Sequence, residues 1–214
     1  GPPRRIVGHL RFAAPPRDVV LQRLPRLLVG LVLFGFGLGQ TVLGGYGLPP
    51  WDVFHQGLAE QTLLSIGGAV IVVGAVLLIV IVMLDEPIGV GTLANVVVIG
   101  LALDATLWLF DEPSHTVPRG VLTGVGPIVV AIGSGFYIGV GLGPGPRDGL
   151  MTALDRRGIA LWKARAGIEL TALIAGVVLG GTVGWGTVWF LVIIGPAVHF
   201  FLPRLTLPEV AAAT

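Results

Sequence analysis

Cysteine is absent from the 214 residues, which excludes disulfides, thiolate nucleophiles and Cys-ligated zinc or iron–sulfur centres. Charge is nearly as scarce. Asp, Glu, Lys and Arg make up 12% of the chain, where a soluble domain carries about 25%. A surface so poor in charge cannot face water all round, so a soluble globular domain is excluded. The chain also has no phosphate-binding loop, no His-Glu-x-x-His, no Gly-x-Ser-x-Gly and no cluster of metal-ligating residues. Runs of the GxGxxG type fall inside apolar segments, where no strand–turn–helix unit gives them meaning. An enzyme is therefore not expected, and neither is a cofactor.

Apolar residues and glycine are abundant. Hydrophobic residues make up 54% of the chain, with a mean hydropathy of +0.91 and 34 glycines. Small residues let helix backbones approach closely in a bilayer. A crossing takes about 20 residues, and uncharged or nearly uncharged runs of that order lie at about 26–46, 64–84, 90–110, 119–142, 165–183 and 185–202. Two segments between them, 51–62 and 147–158, each open on a proline and an acid and are too short to cross. Residues 1–25 are an Arg- and Pro-rich arm in which Pro15, Pro16 and Pro25 interrupt any helix, with Gly1-Pro2 read as a protease scar from an expression tag.

Lys and Arg orient the spans. Six crossings with both ends in the cytoplasm place twelve of the thirteen inside and leave Arg119 outside. The expected location is thus the bacterial inner membrane, N-in and C-in. Anionic lipid headgroups are the expected partner of the arginine arm, ahead of nucleic acid.

The punctuation is written twice. At an offset of 96, Gly30, Gly37, Gly39, Gly45, Gly47, Pro50 and Asp52 fall on Gly126, Gly133, Gly135, Gly141, Gly143, Pro146 and Asp148. At an offset of 95, "GVGT" (89–92) falls on "GWGT" (184–187) and Ile99-Gly100 on Ile194-Gly195. A unit with three crossings must enter the membrane the second time from the opposite side. The expected fold is an all-α membrane protein of six transmembrane helices in two inverted three-helix repeats, 26–110 and 119–203, followed by a tail, 204–214. Each repeat carries a short non-spanning helix after its first span. Inverted repeats of this kind suit alternating access around a central site.

The stretches "GLPPWDVFHQGL", "GVGTLAN", "GLGPGPRDGLM", "RAGIELTAL" and "GWGT…IGP" resemble those of the bacterial YczE-like membrane proteins, allied to the YitT group. The likeness covers roughly residues 24–203. It implies a small multi-span inner-membrane protein and no particular activity.

Candidate site residues follow from the repeats and from polarity inside the spans. Pro50, Trp51 and Asp52, with Pro146 and Asp148, mark the starts of the short helices. Proline at the first helical position with an acid two residues on is also a purely structural helix start. Asp104 in the third span and its mate His199 in the sixth are titratable groups within the apolar runs, suited to proton or ion coupling or, at shallow depth, to the headgroup region. Glu169 stands four residues after Arg165, which fits both a cavity residue and an interfacial ion pair. Gln40, Asn95 and Tyr137 fit a solute path or interhelical hydrogen bonds. The glycine-rich stretches 35–39 and 133–143 fit tight helix crossing or local unwinding. Gly176 and Gly180 make a small face suited to helix packing or a homodimer contact.

Three functions stay open on this reading. The first is a secondary transporter or exporter of a small solute, with proton coupling through Asp104, Glu169 or His199. The second is a passive channel or facilitator, which the shortage of polar residues disfavours. The third is a non-transport lipid-binding or assembly protein.

Overall fold

The structure, a computed structural model, describes residues 15–212. The basic arm's Arg4, Arg5 and Arg11 lie outside the described residues. Among those described there are nine helices and no strand: α1 (Arg17–Gly44), α2 (Pro50–Glu60), α3 (Ile66–Met83), α4 (Val90–Leu109), α5 (Thr116–Ile138), α6 (Pro146–Asp155), α7 (Leu161–Val178), α8 (Trp185–Leu205) and α9 (Pro208–Ala211).

Helices α1 and α5 cross at the centre of the bundle. Their crossing depends on glycine: a Cβ at Gly37 would stand 2.9 Å from the Gly126 carbonyl oxygen, and one at Gly133 would stand 2.7 Å from that of Gly30. The stretch 35–39 and the first part of 133–143 thus serve close packing within helices, while 139–143 lies beyond the end of α5. Helix α4 lies against α1 and α8 against α5, while α2 and α6 each touch both α3 and α7. Leu27, Leu31 and Leu38 of α1, Leu103 of α4 and Val130 of α5 fill the space between them.

The surface is apolar. Val76 and Ile79 of α3 and Val188 and Val192 of α8 are more than half exposed, and so large an unbroken apolar surface is stable only against hydrocarbon. Five helices are long and apolar enough to cross a membrane: α1, α3, α4, α5 and α8. Helix α7 has 18 residues and carries Lys163, Arg165 and Glu169, so length and composition alone do not class it with the others. The chain is an all-helical membrane protein.

The N-terminal expectation needs correcting. Pro25 does not interrupt a helix, because α1 starts at Arg17 and runs through it. Proline removes one backbone donor, and the segment is held from outside instead. Arg23 donates to the Val140 carbonyl at 2.9 Å, and Arg26 donates to that of Leu205.

The repeated punctuation builds two equivalent turns. Gly45 (φ 68°) and Gly47 (φ 110°) end α1 as Gly141 (φ 64°) and Gly143 (φ 116°) follow α5, in left-handed backbone that side chains rarely adopt. Each turn docks on the start of a distant helix. Gly186 N donates to the Tyr46 carbonyl at 2.8 Å, and Gly91 N donates to that of Leu142 at 2.8 Å. Thr187 and Thr92, both buried, accept from Gly184 N and Gly89 N at 3.3 and 3.0 Å. The short helices then begin at the two prolines, at Pro50 and Pro146.

Candidate functional site

The turns return the chain towards the bundle interior, where the first residues of α2 and α6 border one cavity of about 530 Å³. Proline suits the first helical position because no amide donor is needed there. Asp52 and Asp148 occupy the first turns, where unsatisfied N–H groups favour a negative charge. Asp52 is buried, with 3% of its surface exposed. Its Oδ1 lies 3.1 Å from His55 Nδ1, one turn on, and with the proton on that nitrogen the ring donates. On the second short helix, Asp148 Oδ2 accepts from the Tyr137 hydroxyl at 3.1 Å, and Tyr137 Oη accepts from Gly145 N at 3.2 Å.

Trp51 and Arg147 hold the same position in the two short helices, and they meet. The guanidinium carbon of Arg147 lies 5.9 Å from the Trp51 ring centroid, within reach of a cation–π contact. Nε1 of Trp51 is buried and makes no hydrogen bond. Asn95 stands beside Gly145, where a Cβ would come within 3.2 Å of its amide nitrogen. At the rim, Arg165 Nε donates to Glu169 Oε1 at 3.3 Å.

The cavity lies within the bundle. Its walls come from the N-terminal halves of α3, α4 and α7, the C-terminal halves of α1 and α5, and the middle of α8. Arg147 and Arg165 bring positive charge to its lining. One side is unsealed, because α7 and α8 do not pack along their lengths. A second cavity, of about 670 Å³ and almost wholly apolar, lies among α2, α3, α6 and α7, and Trp51 lines both.

Eight of the residues singled out from the sequence line the first cavity: Pro50, Trp51, Asp52, Asn95, Tyr137, Pro146, Asp148 and Glu169. Three do not. Gln40 is absent from the walls, and its Oε1 is buried without a partner. Asp104 reaches the start of α3 instead, where it accepts from the Ser65 hydroxyl and from Gly67 N at 2.8 Å. His199 is exposed on α8 and makes no hydrogen bond or ion pair with the described residues. Sequence reasoning passed over His55 and Arg147 as site residues. The first was detectable as Asp-x-x-His, one helical turn apart. The second is a cation at the symmetric position of Trp51.

Comparison with known proteins agrees with the membrane reading. The chain is similar to a Haemophilus influenzae protein described as uncharacterized, with 37% identity over 177 residues, 82% of this chain and 81% of the relative. It is similar to the uncharacterized membrane protein YczE of Bacillus subtilis (strain 168), with 32% identity over 178 residues, 82% and 83% of the two chains. It is also similar to YyaS of the same organism, with 25% identity over 185 residues, 82% and 90%. No solved structure matches. The model of a family of unknown function, DUF6198, matches residues 21–203, and the chain belongs to that family.

Proposed function

We propose that the protein is a secondary transporter or exporter of a small solute, built as two inverted three-helix repeats with six crossings. One observation carries the reading: two equivalent short helices, 96 residues apart, begin side by side at one cavity, to which they bring an acid each within an apolar protein. Inverted repeats with interrupted helices at a shared site are a transporter arrangement. The element starts support the repeat. Pro50 and Pro146 lie 96 residues apart, and Ile66 and Leu161, like Val90 and Trp185, lie 95 apart. As the fifth of six crossings, α7 brings Arg165 and Glu169 to the cavity mouth, which accounts for its charges. The positive-inside rule puts that mouth on the cytoplasmic side of the inner membrane.

Proteoliposomes loaded with a pH-sensitive dye and offered a panel of small organic ions, with and without a pH gradient, test the function. Asp52→Asn and Asp148→Asn should each reduce flux at least tenfold without changing the amount of folded protein. Equal flux in wild type and the double variant would overturn the reading. Orientation has a separate test, made simple by the absence of native cysteine. Gly120→Cys, where a side chain meets nothing within 4 Å, should react with an impermeant maleimide on intact cells. Glu209→Cys should react only after permeabilisation.

A further inference from the structure

We propose that the two cavities form one site for an anionic amphiphile, its acidic head at Arg147 and its apolar chain in the second cavity. This rests on the transport reading for the place of the site and adds the class of ligand.

The carboxylates at the cavity already have side-chain partners: Asp52 faces His55, Asp148 accepts from Tyr137 and Glu169 pairs with Arg165. Arg147 forms no ion pair with a carboxylate among the described residues and stands over the Trp51 ring. Trp51 Nε1 is buried without an acceptor, and Asn95 has no hydrogen-bond partner among the described residues. A cation and neutral donors are therefore left over where the acids are satisfied. That balance calls for a ligand bringing acceptor oxygens, and a guanidinium binds carboxylate or phosphate in two-pronged fashion.

The chain's place follows from the stripe next to Trp51. Trp51, Phe54 and Leu58 recur at i, i+3 and i+7 on α2, which puts them on one face. Leu150 and Leu154 of α6 are the repeat mates of Phe54 and Leu58, and all five residues line the apolar cavity. Trp51 lines both cavities, so a head held at Arg147 and a chain among these side chains lie on either side of one residue. The opposite wall is α7, with Gly167 and Ala175 on the cavity side.

The test is saturable binding of radiolabelled oleate to the immobilised full chain in mild detergent, with oleylamine and butyrate as comparisons. Oleate should bind at least 100-fold more tightly than butyrate, because butyrate lacks most of the chain that is removed from water. Arg147→Gln should weaken oleate on the order of tenfold, the size of a lost charged hydrogen bond, and leave oleylamine unchanged. Gly167→Leu should block oleate, whereas Gly120→Leu, at the start of α5 and outside both cavities, should not. A Cβ added at either glycine would meet no atom within 4 Å, so both variants should keep the wild-type melting temperature. Ala175→Leu repeats the blocking test should Gly167→Leu fold poorly.

Butyrate competing as well as oleate, Arg147→Gln binding oleate normally, or Gly120→Leu blocking in place of Gly167→Leu would each overturn the proposal. Oleate binding without flux of any solute would overturn the transport reading alone. Solute flux by a protein that does not bind oleate would overturn this proposal alone.

Discussion

Helices α3 and α4 seal against each other, and their counterparts α7 and α8 stand apart. In the sealed pair the Gly67 and Gly100 backbones touch, and a Cβ at Gly100 would come within 2.5 Å of the Gly67 carbonyl oxygen. Asp104 fastens the contact by accepting from Ser65, itself the cap of α3, and from Gly67 N. At an offset of 95, Ser65, Gly67, Gly100 and Asp104 become Ala160, Trp162, Gly195 and His199. The hydroxyl cap, the small residue and the carboxylate are all gone. Gly195 is kept, but nothing lies within 4 Å of the place its Cβ would take. An indole in place of Gly67 bars the same backbone approach. One scaffold therefore carries a closed and an open interface, and side-chain size and charge make the difference.

The two turns are the counterexample, because they are equal where the helix pairs are not. Gly47→Ala and Gly143→Ala should have the largest effects. Each puts a side chain into left-handed backbone, at φ 110° and 116°, and a Cβ 2.7 Å from the hydroxyl of Thr187 or Thr92. The expected loss is about 3 kcal/mol apiece, equal within about 1 kcal/mol, read from thermal unfolding in detergent. Unequal losses would break the equivalence of the turns.

The helix pairs should respond unequally. Gly100→Leu overpacks a filled contact and should destabilise by about 2–3 kcal/mol. Gly195→Leu enters open space and should stay within about 0.5 kcal/mol of wild type. Similar losses at both positions would mean that α7 and α8 pack like α3 and α4.

Smaller again is Asp104→Asn, which weakens the bonds to Ser65 and Gly67 and should cost about 1–2 kcal/mol of stability. His199→Gln should be silent. Melting and flux measured on the same samples separate two roles for Asp104: parallel losses mark a clasp, and lost flux at unchanged stability marks ion coupling. A small effect is expected of Glu169→Gln at the solvent-accessible mouth, about 0.2–1 kcal/mol in melting. A larger loss there would mean that the pair with Arg165 holds α7 in place.

Much of the architecture was legible because it depends on local chemistry. Proline has no amide to donate and a helix start needs none, so Pro50 and Pro146 announced the short helices, which begin on those residues. Apolar length exposed the long helices. Pro25 misled, because the bonds that hold the start of α1 come from carbonyls more than a hundred residues away. The cavity was partly legible. Repeat symmetry pointed to Trp51, Asp52 and Asp148, but the same symmetry paired Asp104 with His199, and neither lines it.

By itself the sequence determined that this is a helical membrane protein with a repeated turn-and-short-helix motif, because hydropathy and backbone constraints act over neighbouring residues. Only the tertiary structure decided which way each polar group faces. Helix α3 reads IGGAVIVVGAVLLIVIVM, apolar on every side, so no periodicity says which face meets α4. Rotation about such an axis is set by packing: Gly67 against Gly100 turned Asp104 towards a helix start, and the missing contact beside Gly195 left the cavity unsealed.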